Sequence, residues 1–104
     1  MSASNTGFKD FVLDQLAEIP GVTARAMFGG YGLYRRATFF GIIYKGRLYF
    51  KVTETTARHY KKHGMRPFRP NAKQTLKSFY EVPIDILEDV EALTQWATQA
   101  IGRA

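Results

Sequence analysis

The sequence predicts a small α+β domain in which an antiparallel sheet packs against helices. Residues 27–52 form a glycine-punctuated run of aromatic and β-branched residues, which is typical of consecutive strands joined by tight turns. On both sides of this run, apolar residues recur at intervals of three and four, the spacing of a helix with one buried face. A chain of 104 residues with 45% hydrophobic residues has the size and composition of one folded domain, residues 1–104.

A first helix is predicted over residues 7–18. Asn5 or Thr6 is expected to cap its start, and Pro20 and Gly21 are expected to end it. Its apolar stripe consists of Phe8, Phe11, Val12, Leu16 and Ile19.

Strands are predicted over residues 22–28, 31–35 and 39–44, followed by a further extended run to Val52. Gly29 and Gly30 suit the first turn because glycine tolerates positive φ. Lys45 and Gly46 predict a two-residue hairpin turn.

That two-residue turn fixes a pairing register, with Ile42 opposite Tyr49 and Gly41 opposite Phe50. Strict alternation then predicts a core face made of Phe39, Gly41, Ile43, Leu48, Phe50 and Val52. The opposite face is predicted to carry Phe40, Ile42, Tyr44, Arg47, Tyr49 and Lys51. Such a mixture of aromatic and basic residues indicates either a subunit contact or a platform for stacking bases. For a homodimer, the candidate contact residues are Phe40, Ile42 and Tyr49.

The second half begins with a short helix, capped by Thr53, Thr55 or Thr56 and ended by Gly64, with Tyr60 pointing inward. An edge strand over residues 65–70 and a strand over 76–82 follow.

The final helix is predicted to start at an Asp85 cap with Glu88 three residues later, and to end at Gly102. Its buried stripe is predicted to consist of Ile86, Val90, Leu93, Ala97 and Ile101. The predicted element order is α-β(3)-α-β(2)-α.

Charge is unevenly distributed along the chain. Residues 25–77 contain thirteen Lys and Arg residues and one acid, Glu54, for a local net charge of +12 within a total of +6. Both ends are acidic. This segregation can steer a polyanion to the middle segment, or let acidic helices lie across a basic sheet or pack against a second copy.

The candidate nucleic-acid contacts come from this middle segment, where basic residues could follow a phosphate backbone. An equally open interpretation is a solvated sheet edge that resists aggregation. The six candidates are Arg47, Lys51, Arg58, Lys61, Lys62 and Arg66.

No catalytic, cofactor-binding or metal-binding residue is predicted. The glycines around Tyr31 precede a strand, whereas a phosphate loop precedes a helix. His59 and His63 would share a helical face, but a third ligand is missing nearby and Lys61 and Lys62 crowd them with positive charge.

The absence of cysteine excludes disulfides and thiol catalysis. No segment approaches the roughly 20 apolar residues of a membrane span. We therefore expect a cytoplasmic protein with no membrane partner.

Several blocks, in order, resemble the N-terminal domain of the TfoX/Sxy competence-regulator family. The most specific is residues 25–34, RAMFGGYGLY, followed by residues 48–52 (LYFKV), 64–68 (GMRPF), 80–83 (YEVP) and 87–89 (LED), then Trp96 and Ala97. The resemblance covers nearly the whole chain from about residue 8.

This resemblance implies a fold similar to secretion-chaperone-like domains and a non-enzymatic regulatory role in transcription of DNA-uptake genes. It implies protein partners and no catalytic residues. Family regulators typically add a C-terminal helical domain, and this chain ends at Ala104 without one, so we expect a stand-alone domain that lacks the regulatory activity itself.

Overall fold

The computed structural model describes residues 3–27 and 29–102, and side chains from residue 7 onward. In chain order the elements are α1 (Ala3–Gln15), β1 (Val22–Met27), β2 (Gly30–Arg35), β3 (Thr38–Tyr44), β4 (Arg47–Lys51), α2 (Glu54–Lys62), β5 (Pro67–Asn71), β6 (Gln74–Glu81), α3 (Ile84–Leu87) and α4 (Val90–Ile101).

The strands form one antiparallel sheet in the order β1-β2-β3-β4-β6-β5. The predicted α+β class is confirmed. Within the described residues there are six strands, one more than the predicted formula, because β4 adds a fourth strand to the first group.

All four helices pack on one side of the sheet, which we call the first face. The buried residues from the helices and the turn after α1 are Val12, Leu16, Tyr60, Leu87, Leu93, Ala97 and Ala100. They form one cluster with buried residues of the sheet and the residue after β6: Leu33, Phe40, Ile43, Leu48, Phe50, Tyr80 and Val82. These side chains form the main core, and they include the predicted inward Tyr60.

Helix α1 begins earlier than predicted. It starts at Ala3, so Asn5 and Thr6 lie inside its first turns and the prediction that either caps the helix is wrong. The helix ends at Gln15, and three-residue turns such as Ile19 N–H to Leu16 C=O then lead to Pro20.

The hairpin between β3 and β4 has the predicted register. Ile42 pairs with Tyr49, and Gly41 pairs with Phe50. Lys45 and Gly46 both have positive φ, at 51° and 73°, which matches the right-handed twist of the two strands.

A β-bulge on β3 changes the face on which Phe39 and Phe40 lie. Leu33 pairs with Gly41 but the next residue, Tyr34, pairs with Phe39, so Phe40 is the extra residue. Phe40 consequently turns into the main core, where it is fully buried, and Phe39 turns to the opposite face. Strict alternation assigned these two residues the other way round, and that prediction is wrong.

The final helical segment is divided into two helices. Asp89 is the N-cap of α4, and its carboxylate accepts a hydrogen bond from Ala92 N–H at 3.1 Å. The predicted Asp85 cap is wrong, because Asp85 lies inside the short α3. Leu87 and Leu93 would point about 120° apart on one straight helix, so the break lets both enter the core.

Candidate functional site: the helix-free face of the sheet

The second face of the sheet carries a separate aromatic cluster. Its buried residues are Ile42, Tyr49, Phe68 and Phe79, with Phe39, Tyr44 and Leu76 partly buried around them. All seven belong to strands, so among the described residues the helices do not contribute to this cluster. The predicted mixed face therefore exists, with Phe39 in place of Phe40.

The outer hairpin β5–β6 curls over this face. Phe68 lies on the edge strand β5, yet its ring centroid is 4.7 Å from that of Tyr49 on β4 and 5.4 Å from that of Tyr44 on β3. A flat sheet would hold β5 roughly 14 Å from β3, three strand spacings away. The curl explains how Phe68 is fully buried on an edge strand.

Two groups of touching rings meet in this buried cluster, and we call them together the aromatic stripe: Tyr34, Phe39 and Phe79, and Tyr49, Phe68 and Tyr44. Centroids of Tyr34 and Phe39 are 5.2 Å apart, as are those of Phe39 and Phe79. Tyr34, Phe39 and Tyr44 are partly exposed, so both ends of the stripe are accessible to solvent.

Gly32 permits the close packing at the Tyr34 end. A Cβ atom on Gly32 would lie 2.6 Å from Met27 Cε, 3.1 Å from Phe39 Cε1 and 3.2 Å from Tyr34 Cε1. Only glycine lets these three side chains meet over β2 without a shift.

A positively charged side chain lies beside a tyrosine ring at each end of the stripe. The Arg25 guanidinium carbon lies 4.9 Å from the Tyr34 ring centroid, and Lys45 Nζ lies 5.4 Å from that of Tyr44. These distances are within the range of cation–π attraction. Arg25 and Lys45 are both exposed, so their charges remain available to a ligand.

Arg47 and Glu81 form an ion pair at the middle of this face. Arg47 Nη1 donates to Glu81 Oε2 at 2.9 Å and to Oε1 at 3.1 Å. The pair neutralises Arg47, one of the six predicted nucleic-acid contacts.

Burial raises the pKa of the Tyr49 phenol above 10.0, and the Glu81 carboxylate raises it further, while Arg47 opposes both effects. Tyr49 is therefore neutral at physiological pH and acts as a packing residue within the stripe.

A family model described as the TfoX N-terminal domain matches residues 14–104. The chain belongs to this family. The family is linked to competence regulation and is generally regulatory rather than catalytic. No curated protein matches the chain significantly. The resemblance read from the RAMFGGYGLY block is confirmed, and within this domain that block spans β1 and β2.

The domain buries the residues that the sequence suggested for a dimer. Phe40 lies in the main core on the first face. Ile42 and Tyr49 lie on the second face, in one buried cluster with Phe68 and Phe79. Ile42 is 1% exposed and Tyr49 is 9% exposed. The structure therefore gives no support to a homodimer through these three residues.

The six predicted nucleic-acid contacts are divided between two sides of the domain. Arg47 and Lys51 lie on β4, whereas Arg58, Lys61 and Lys62 lie on α2, whose Tyr60 packs into the main core. Arg66 precedes β5. The structure does not bring the six together on one surface.

The sequence analysis did not include Arg25, Tyr34 or Lys45 among the candidate site residues. For Arg25 and Tyr34, strand register gives the signal: Arg25 on β1 pairs with Gly32 on β2, and Gly32 pairs with Ile42 on β3. Tyr34 is two residues from Gly32, so alternation places Arg25 and Tyr34 on the same face as Ile42.

His63, the residue that follows α2, has structural partners. His63 Nδ1 is 2.9 Å from the His59 carbonyl oxygen, and its ring packs edge-on against Trp96 with centroids 5.4 Å apart. Over residues 3–27 and 29–102, no group of three His, Cys, Asp or Glu residues is arranged to hold a metal ion.

Two concave regions lie at the borders of the curled hairpin. A cavity of about 440 Å³ is lined by Tyr44, Phe68, Pro70, Asn71, Gln74 and Leu76. A shallower cleft of about 320 Å³ lies between α2 and β6, with Lys61, Lys77 and Ser78 in its wall. In the part of the chain that the structure describes, no helix is long and apolar enough to cross a membrane.

Proposed function

We propose that this domain is a non-catalytic regulator of DNA-uptake genes that acts in the cytoplasm by binding a protein partner through its helical side. The observation that supports a partner there is the solvent exposure of large hydrophobic side chains on the helices. The exposed large hydrophobic residues within the described chain are Phe11, Ile84 and Val90, at 39%, 68% and 38%. All three lie on helices α1, α3 and α4.

The same helices carry most of the acidic residues of the chain. These are Asp10, Asp14 and Glu18 on or just after α1, and Asp85, Glu88, Asp89 and Glu91 around α3 and α4. Gln15 Nε2 donates to the Leu87 carbonyl oxygen at 3.0 Å, which joins α1 to α3. The matching partner surface has apolar side chains flanked by Lys and Arg, since complementary charge speeds encounter and selects the partner.

Complementation of a deletion strain tests this proposal. Wild-type protein should restore the transcript levels of DNA-uptake genes that the deletion changes, and Ile84→Asp should not, because a carboxylate replaces the most exposed apolar side chain. Thr75→Asp is the matched control, since Thr75 is exposed on β6, away from the helices.

Circular dichroism of both purified variants checks that each remains folded. Full restoration by a folded Ile84→Asp variant would show that the helical side is not the partner site. A deletion that leaves these transcripts unchanged would overturn the regulatory role as well.

A second candidate function is direct contact with nucleic acid. It is favoured by the net charge of +12 over residues 25–77, a segment that includes all of β2, β3, β4 and β5 and half of β1 and of β6. Binding of this kind weakens steeply with salt because it releases counterions. A gel shift with the wild-type protein at low salt, lost as salt rises, is the expected result, and no shift at low salt would remove this candidate.

A further inference from the structure

The aromatic stripe is a helix-free surface whose accessible ends combine partly exposed rings with cations. Tyr34 lies under Arg25 at one end, and Tyr44 lies beside Lys45 at the other. Along β3, Phe39 and Tyr44 are five residues apart, or about 17 Å at the rise of a strand. An occupant must therefore offer apolar or aromatic faces spaced along an anionic chain.

Charge argues against a second copy of this chain as the occupant. The exposed charged groups beside the stripe are Arg25, Lys45 and Lys51, and the nearby Glu81 carboxylate accepts hydrogen bonds from Arg47 through both oxygens. Two such faces placed together would bring cations against cations in either orientation. Like charges that meet across an interface oppose association.

Single-stranded nucleic acid has the complementary chemistry. Its bases have exposed π-faces that stack on Tyr and Phe rings, and its phosphates attract Arg and Lys. A duplex is a poorer match, because its base faces are already stacked inside the helix. A ribose 2′-hydroxyl is the group that distinguishes RNA. Glu81, a carboxylate that could accept from it, lies opposite Tyr49 and not beside Tyr34 or Tyr44, where the bases would stack.

We infer that the aromatic stripe binds single-stranded DNA, with bases stacked on Tyr34 and Tyr44 and with phosphates held by Arg25 and Lys45. This inference rests on the nucleic-acid candidate function and gives it a location. The inferred contact surface differs from α2, which carries Arg58, Lys61 and Lys62, three of the contacts predicted from the sequence.

The test compares two variants with the same change in charge. Fluorescence anisotropy at low salt measures binding of a labelled oligothymidylate of about 15 nucleotides, within the site sizes of aromatic single-strand binders. Arg25→Glu with Lys45→Glu should weaken binding at least tenfold. Lys61→Glu with Lys62→Glu on α2 is the matched control and should weaken it less than threefold.

The outcomes separate the inference from the candidate function. Equal weakening by the two double variants would overturn the stripe as the site and leave nucleic-acid binding intact. Failure of the wild-type protein to bind at low salt would overturn both. Tighter binding of a duplex than of the single strand would also overturn the inference, and tighter binding of oligouridylate would reassign the ligand to RNA.

Stacking is tested without changing charge. Tyr34→Ala with Tyr44→Ala should weaken binding about tenfold or more, the cost of losing base–aromatic stacking. Tyr34→Phe with Tyr44→Phe keeps the rings and should bind within threefold of wild type. Thermal denaturation shows whether the alanine variant folds. If it does not, the phenylalanine variant decides, and a tenfold loss there would overturn stacking as the mode of binding.

Discussion

Gly30 illustrates how a single residue sets the geometry of this sheet. A Cβ atom on Gly30 would lie 2.1 Å from the Ile43 carbonyl oxygen on the neighbouring strand. Backbone atoms cannot rotate away as a flexible side chain can, so the strands themselves would have to separate. The first residue of β2 therefore has to be glycine for reasons of space.

We predict that Gly30→Ala lowers the free energy of unfolding by about 2 kcal/mol or more, as overpacking does in a close-packed interior. Gly7→Ala is the matched control. Its Cβ would meet nothing within 4 Å, and Gly7 lies inside α1, so the variant should gain about 0.5–1 kcal/mol from helix propensity. Urea denaturation measures both values, and shifts of the same sign would contradict the prediction.

Tyr60 makes the stability of the fold depend on pH at alkaline pH. Its ring packs against Trp96 with centroids 4.6 Å apart, and burial raises the pKa of its phenol above the ordinary 10.0. Above pH 10 the unfolded chain loses this proton while the folded chain keeps it, so stability falls as pH rises toward the folded-state pKa.

We predict that Tyr60→Phe leaves the free energy of unfolding nearly unchanged at pH 7. Between pH 9 and pH 11, the free energy of unfolding should fall by about 1 kcal/mol less in the variant than in the wild type. Urea denaturation at both pH values checks this. Tyr49 also has a raised pKa and remains in the variant, so some alkaline destabilisation should persist. Identical pH profiles for the two proteins would show that Tyr60 does not titrate in this way.

Among the elements, β3 contributes most to the distinction between the two faces. Its bulge sends Phe40 to the main core and Phe39 to the aromatic stripe, and both rings gain an aromatic neighbour. A pattern of two adjacent phenylalanines gives no indication of which one is the extra residue. The pairing with β2 decides it, and that pairing is a tertiary property.

The division of the last helical segment leads to a prediction about capping. Asp89→Ala should lower the free energy of unfolding by about 1 kcal/mol, because the Ala92 N–H loses its acceptor. Asp85→Ala also removes one carboxylate, but from α3, where no side chain caps the helix. It should lower the free energy of unfolding by less than about 0.5 kcal/mol. Thermal or urea denaturation compares the two, and a larger effect at Asp85 would favour the undivided helix predicted from the sequence.

At the scale of the whole molecule, the two sides of the sheet differ in character. On the helical side, α1, α3 and α4 carry most of the acidic residues and the exposed apolar residues Phe11, Ile84 and Val90, while α2 is basic. The opposite side is the aromatic stripe with its cations. The proposed protein contact and the proposed DNA contact therefore occupy different surfaces and are separable by mutation.

We predict that the chain sediments as a monomer of 11.8 kDa at micromolar concentration, because Phe40, Ile42 and Tyr49 are buried and the stripe would repel a second copy. Analytical ultracentrifugation over a range of salt concentrations measures this. A species of twice this mass would restore the homodimer predicted from the sequence, and its strengthening at high salt would place the contact on the cationic face.

Local patterns in the sequence determined much of this protein: the α+β class, the strands, the Lys45-Gly46 turn with its register, a threonine cap for α2, which the structure places at Thr53 among the three candidates, and the family. These features depend on residues close together in the chain. The tertiary structure decided the bulge at Phe40, the break before Asp89, the curl that buries Phe68 and the division of the basic residues between two sides. Each of these depends on contacts between distant elements, such as Phe68 with Tyr44, so spacing along the chain does not encode them.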